Sequence, residues 1–75
     1  MPKLPALTDK QVIKKLRKAG FRFYRSAKGS HEMWVRDIDG KIAVVPRHPG
    51  KIIKRKTLKD IIDATGLSIE EFSKL

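Results

Sequence analysis

Two histidines, His31 and His48, are the only side chains in this 75-residue sequence whose ordinary pKa lies near neutrality. His31 follows Gly29 and Ser30 at what reads as the mouth of a hairpin. His48 stands in the loop-forming run Pro46-Arg47-His48-Pro49-Gly50. Neither has an evident packing duty, so both are candidates for general acid–base work, His31 ahead of His48. Ordinary surface histidines would present the same pattern. Metal chemistry fits poorly. His31 and Glu32 are neighbours on an expected strand and point to opposite faces. Asp37 and Asp39 flank a turn, Asp60 and Asp63 read as the solvated face of a helix, and there is no cysteine. Two-metal catalysis needs more converging carboxylates than this spacing offers. Ser26, Ser30, Ser68 and Ser73 lack the strand–turn–helix setting of a nucleophilic serine. No metal site and no cofactor is expected.

The chemistry that one or two histidines can perform on a basic surface is metal-independent cleavage of RNA. The substrate brings its own nucleophile, the 2′-hydroxyl. A base takes its proton, the oxygen attacks the adjacent phosphorus, and an acid protonates the departing 5′-oxygen. Lysines and arginines stabilise the added negative charge. The composition agrees: 18 Lys and Arg against 8 Asp and Glu give a formal charge of +10. Residues 1–56 carry +12 and residues 57–75 carry −2. That asymmetry suggests a polyanionic partner, nucleic acid before an acidic protein or a membrane surface. Lys54-Arg55-Lys56, expected just before a helix, is a candidate phosphate site, because helix N-termini favour anions. Lys28 beside the Gly-Ser-His run and Lys14 on the first helix are further candidates for phosphate contact. Tyr24 and Trp34 are expected on one strand face, opposite Phe23, Met33 and Val35, where they would stack on bases or line a covered sheet face.

The elements that must position these residues follow from periodicity. Residues 1–7 read as a short arm. Thr8 to Gln11 fits a capping box, and Val12, Ile13, Leu16 and Ala19 share one helical face with Lys10, Lys14, Arg17 and Lys18 opposite. Gly20 suits the residue after that helix. Strands are expected over residues 21–26, 30–38 and 41–46, joined by a turn at Ala27-Lys28-Gly29 and a two-residue turn at Asp39-Gly40. Residues 47–56 read as a loop. Thr57 is expected to cap a second helix whose Leu58, Ile61, Ile62 and Thr65 face inward, and Gly66 ends it. Ser68 to Glu71 is another capping box, opening a short terminal turn of helix with Ile69 and Phe72 on one side. The expected fold class is α+β, α-β-β-β-α, a three-stranded antiparallel sheet packed by helices on one face. A two-residue turn pairs Ile38 with Lys41, and by extension Val35 with Val44, Met33 with Pro46 and His31 with His48. Met33, Val35 and Val44 would then line the helix-packed face, with both histidines at its open end.

With 75 residues one domain, 1–75, is expected, burying about 60% of the surface its unfolded chain exposes. Met1 to Leu7 holds two prolines and no apolar run of the secretory kind, and no stretch is long enough to span a membrane, so a cytoplasmic address is expected.

The residues Ala19-Gly20-Phe21, Gly29-Ser30-His31, Val45-Pro46-Arg47-His48, Thr57-Leu58-Lys59-Asp60-Ile61, Gly66-Leu67-Ser68 and Glu71-Phe72 occur in this order over nearly the whole chain. In that arrangement the sequence resembles the HicA family of RNA-cleaving toxins, also described as mRNA interferases. The resemblance implies a fold like that of double-stranded RNA-binding domains, a catalytic histidine at His31, mRNA as substrate and a HicB antitoxin as protein partner. Lys56 departs from the glycine that the family commonly carries before the Thr-Leu pair. The competing expectations are a non-catalytic RNA-binding module of the same fold, with His31 as a groove contact, and a subunit whose basic face binds an acidic protein.

Overall fold

The computed structural model describes residues 3–75; Met1 and Pro2, the first residues of the expected arm, lie outside them. Helix α1 (Asp9–Lys18) leads into strands β1 (Arg22–Ser26), β2 (His31–Arg36) and β3 (Lys41–Pro46), then helices α2 (Arg55–Thr65) and α3 (Ile69–Ser73). The strands form one antiparallel sheet in the order β1-β2-β3. This is the expected α-β-β-β-α layout, with α3 as its appended turn of helix.

Local chemistry accounts for most of the boundaries. Thr8 accepts from the Gln11 backbone N–H while the Gln11 side chain accepts from the Thr8 N–H, and Ser68 and Glu71 repeat this exchange at α3. Gly66, at φ 76°, takes the left-handed conformation that stops α2. Thr57 is not the cap of α2. The helix begins three residues earlier, with Lys54 as its N-cap and no side-chain cap bond, so Arg55 and Lys56 belong to its first turn. Lys56 is helical there and needs none of glycine's conformational freedom.

The β2–β3 turn is longer than expected. Arg36 pairs with Lys41, leaving residues 37–40 as the connection, and only Gly40 there has positive φ. The Gly40 N–H donates to the Arg36 carbonyl at 2.8 Å, and the Asp39 carboxylate accepts from both the Arg36 guanidinium and the Lys41 N–H. These bonds hold Asp39 out of the positive-φ geometry that a two-residue turn demands. Ile38 is left 91% exposed at the tip instead of paired. The register therefore moves by two residues, and His31 opposes Pro46 rather than His48.

The helix-packed face also differs from expectation. Trp34 is 2% exposed, and with Ala43 and Val45 it packs against Val12, Ile13 and Leu16 of α1 and Leu58, Ile61 and Ile62 of α2 in one core. Met33, Val35, Ile42 and Val44 occupy the other face. A bulge between Phe23 and Arg25 leaves Tyr24 without a partner on β2 and sets Phe23 across from Trp34, in edge-to-face contact at 5.9 Å. Tyr24 and Trp34 are therefore not a stacking pair. The indole is the side chain with most area to bury, and its N–H is satisfied by Glu32 at 3.2 Å, so the fold hides it in preference to Met33 or Val35. Arg36 ties the far end together, donating to the carbonyls of Ala19, the C-cap of α1, and Thr65, the last residue of α2.

Candidate active site

His31 opens β2 directly after a tight turn in which Gly29 has φ 69° and the Ala27 N–H donates to the His31 carbonyl. Its ring Nδ1 lies 3.1 Å from the Lys28 carbonyl oxygen. A carbonyl can only accept, so this bond places the proton of the neutral imidazole on Nδ1 and leaves the lone pair on Nε2. The turn thus fixes the tautomer and orientation of an exposed imidazole.

His31 and His48, although not cross-strand partners, line one cleft of about 400 Å³ together with Pro46, Lys51, Lys54 and Thr57. Its wall is the loop 47–54. The Arg47 N–H donates to the Ser30 carbonyl at 2.9 Å, the Lys51 N–H to the His48 carbonyl, and the Ile53 N–H to the Leu7 carbonyl at 2.8 Å. Thr8 and Ile52 add an isolated bridge. The loop is therefore stitched to the start of β2 on one side and to the N-terminal segment on the other.

Beneath this wall lies a charge network the sequence did not reveal. Arg47 donates through Nε to Asp9 at 2.7 Å and through Nη1 to Glu32 at 2.9 Å, and Glu32 also accepts from Trp34. Asp9 is 1% exposed. Its hydrogen bond to Arg47 holds its carboxyl below the usual range against the opposing effect of burial. The same two carboxylates raise the Arg47 guanidinium further. Asp9 lies within the Thr8 to Gln11 capping box, and nothing in its spacing marks Arg47, 38 residues away, as its partner.

Among the expected phosphate contacts, Lys54 lines the cleft, joined by Lys51, while Lys28 contributes its carbonyl to His31. Arg55 and Lys56 are exposed in the first turn of α2 but do not line it. Lys14 lies elsewhere, in a shallow depression with Gln11, Lys15 and Lys18 on α1. Ser30 enters through its backbone carbonyl. A second depression, about 330 Å³, shares His31, Pro46 and Thr57 with the first and extends along Ile42, Val44, Asp60 and Ala64. Asp60, expected on a solvated helix face, thus stands at a cleft that reaches His31. Among the described residues no three His, Cys, Asp or Glu side chains converge as metal ligands.

The family model of the HicA toxin of bacterial toxin–antitoxin systems matches residues 10–67. This chain belongs to the HicA toxin family. The match spans α1 through the end of α2, so it includes the His31 turn, the loop that carries His48 and both clefts. No curated protein matches the chain. As a HicA toxin it belongs with an antitoxin. No helix among the described residues is long and apolar enough to cross a membrane.

Proposed function

We propose that this HicA toxin is a metal-independent endoribonuclease acting on mRNA in the cytoplasm, with His31 as its general base and a HicB antitoxin as its inhibitor. The observation that carries the reading is the bond from His31 Nδ1 to the Lys28 carbonyl, which leaves Nε2 as the exposed proton acceptor beside a cationic cleft. Nε2 takes the proton of a 2′-hydroxyl. The resulting oxyanion attacks the adjacent phosphorus, and the 5′-oxygen of the next nucleotide leaves, giving a 2′,3′-cyclic phosphate and a 5′-hydroxyl end. Lys51 and Lys54 balance the charge that builds on the phosphoryl oxygens. His48 in its protonated form supplies a proton to the leaving oxygen. Gly29 and Ser30 shape the turn, with φ positive at Gly29 and the Ser30 carbonyl anchoring Arg47. Lys28, Arg55, Lys56 and Lys14 serve flanking phosphates.

The test is cleavage of a defined RNA by purified wild-type and His31→Ala protein, with product ends identified by mass. Cyclic phosphate ends from the wild type and none from the variant are expected. Equal cleavage by the two proteins would reject His31 as the base. RNA binding without any cleavage would leave the non-catalytic module.

A further inference from the structure

His31 stands where two clefts meet, one carrying lysines and the other free of cations. On one side are His48, Lys51 and Lys54; on the other are Ile42, Val44 and Ala64, with Asp60 also in the lining. We propose that the second cleft is a nucleobase subsite specific for guanine, in which Asp60 reads the base next to the bond that is cut. The proposal rests on the endoribonuclease reading and adds the substrate preference at that site.

The two clefts divide a nucleotide by its chemistry. The phosphate belongs with the lysines, and the flat, largely apolar base belongs against the aliphatic floor, where Ile42 and Val44 are each 43% exposed. His31, lining both, falls between base and phosphate, where the ribose hydroxyl sits. Asp60 is the odd group in this setting. It is a carboxylate lining a site on a protein of formal charge +10, and it would repel phosphate. Nor is it neutralised from within. Its neighbour Lys59 pairs with Asp63 at 3.1 Å, and among the described residues no ion pair includes Asp60.

An ionised carboxylate only accepts hydrogen bonds, through two parallel oxygens. Guanine alone among the four bases offers two adjacent donors on its Watson–Crick edge, N1–H and the 2-amino group. Adenine and cytosine each set a ring-nitrogen lone pair beside their amine, which opposes the second carboxylate oxygen. Uracil flanks its single N–H with two carbonyls. A bidentate, charge-assisted pair on an open surface is worth about 10-fold in discrimination, the lower part of the range for such contacts.

The experiment uses fluorescein-labelled uridine decamers with G, A, C, U or inosine at the centre, and measures two things. Cleavage by the full-length wild type gives rates, and anisotropy with the full-length His31→Ala protein gives affinities without turnover. A guanine advantage of about 10-fold is expected in both, reduced with inosine, which keeps N1–H but lacks the 2-amino group. Asp60→Asn, whose amide replaces one acceptor with a donor, and Asp60→Ala should each bring that advantage to about twofold or less. Asp60 is exposed on α2, so circular dichroism should show both variants folded. Equal rates and affinities for all five decamers, or a guanine advantage that survives both substitutions, would overturn the proposal. Cleavage without base preference would remove the subsite and keep the enzyme. A guanine preference in binding that depends on Asp60, without cleavage by the wild type, would keep the subsite and remove the enzyme.

Discussion

Replacing Arg47 with methionine isolates the network beneath the cleft, because the side chain keeps comparable bulk and loses its charge. The substitution removes the 2.7 Å bond to Asp9 and the 2.9 Å bond to Glu32. Asp9 then keeps backbone hydrogen bonds alone, the Lys10 N–H at 2.8 Å among them, in a position 1% exposed to solvent. Breaking a fully buried ion pair from one side costs about 3–5 kcal/mol, most of it the penalty of the orphaned charge. Glu32 and Arg47 are each partly reached by water, so the lower end applies, about 3 kcal/mol. A domain of this length has about 4–11 kcal/mol in total, so the loss is a substantial fraction of its stability. It corresponds to about 12–24 °C in Tm.

The pH dependence separates this cause from simple loss of packing. In the wild type the folded pKa of Asp9 is depressed below 3.8, so its contribution is fully present above that value and is lost as pH falls through the folded pKa. In Arg47→Met the largest cause of that depression is gone while burial still opposes the charge, so the carboxyl rises from its wild-type position and acid neutralises the orphaned charge at a higher pH than in the wild type. The gap between the two proteins therefore narrows as pH drops from 7 toward 4. Urea unfolding followed by the fluorescence of Trp34, the single tryptophan, measures it. A difference under about 1 kcal/mol at pH 7, the range of an exposed pair, or one that does not change with pH, would refute the reasoning.

His31→Ala should lower the RNA cleavage rate by about 10²- to 10⁴-fold, with thermal unfolding nearly unchanged because the side chain is exposed; single-turnover kinetics and calorimetry check the two halves. Cleavage should persist in EDTA, and loss restored by an added divalent ion would contradict the proposed mechanism. RNA affinity should fall with salt at a log–log slope of about −0.7 per phosphate contacted. Lys51→Gln with Lys54→Gln should flatten that slope more than Lys14→Gln, whose side chain lies outside the cleft. Trp34→Ala should cost about 3–5 kcal/mol, since its ring fills the core beneath Phe23 and the Arg17 guanidinium.

Residue order alone determined much of this protein. The capping boxes at Thr8 and Ser68 and the apolar stripes of α1 and α2 are local patterns, each specified within a few residues, and all appear in the fold. The ordered motifs marked the family for the same reason. What the tertiary structure decided depended on competition between distant groups. The face of the sheet that meets the helices turned on whether Trp34 or the Met33–Val35–Val44 set gained more from burial, and the bulge at Tyr24 broke the parity on which a period-two reading relies. The β2–β3 register follows a four-residue turn closed by Gly40 at positive φ, with the Arg36–Asp39 pair inside it, and not the two-residue turn that Asp-Gly suggests. His48 reached the His31 cleft through the fold of the loop 47–54 instead of through strand pairing. Asp9, Arg47 and Glu32 converge from three segments, and Asp60 meets His31 only because α2 lies against β3. A charge pair across 38 residues leaves no periodic trace in one sequence, because its energy depends on burial that only the assembled core provides.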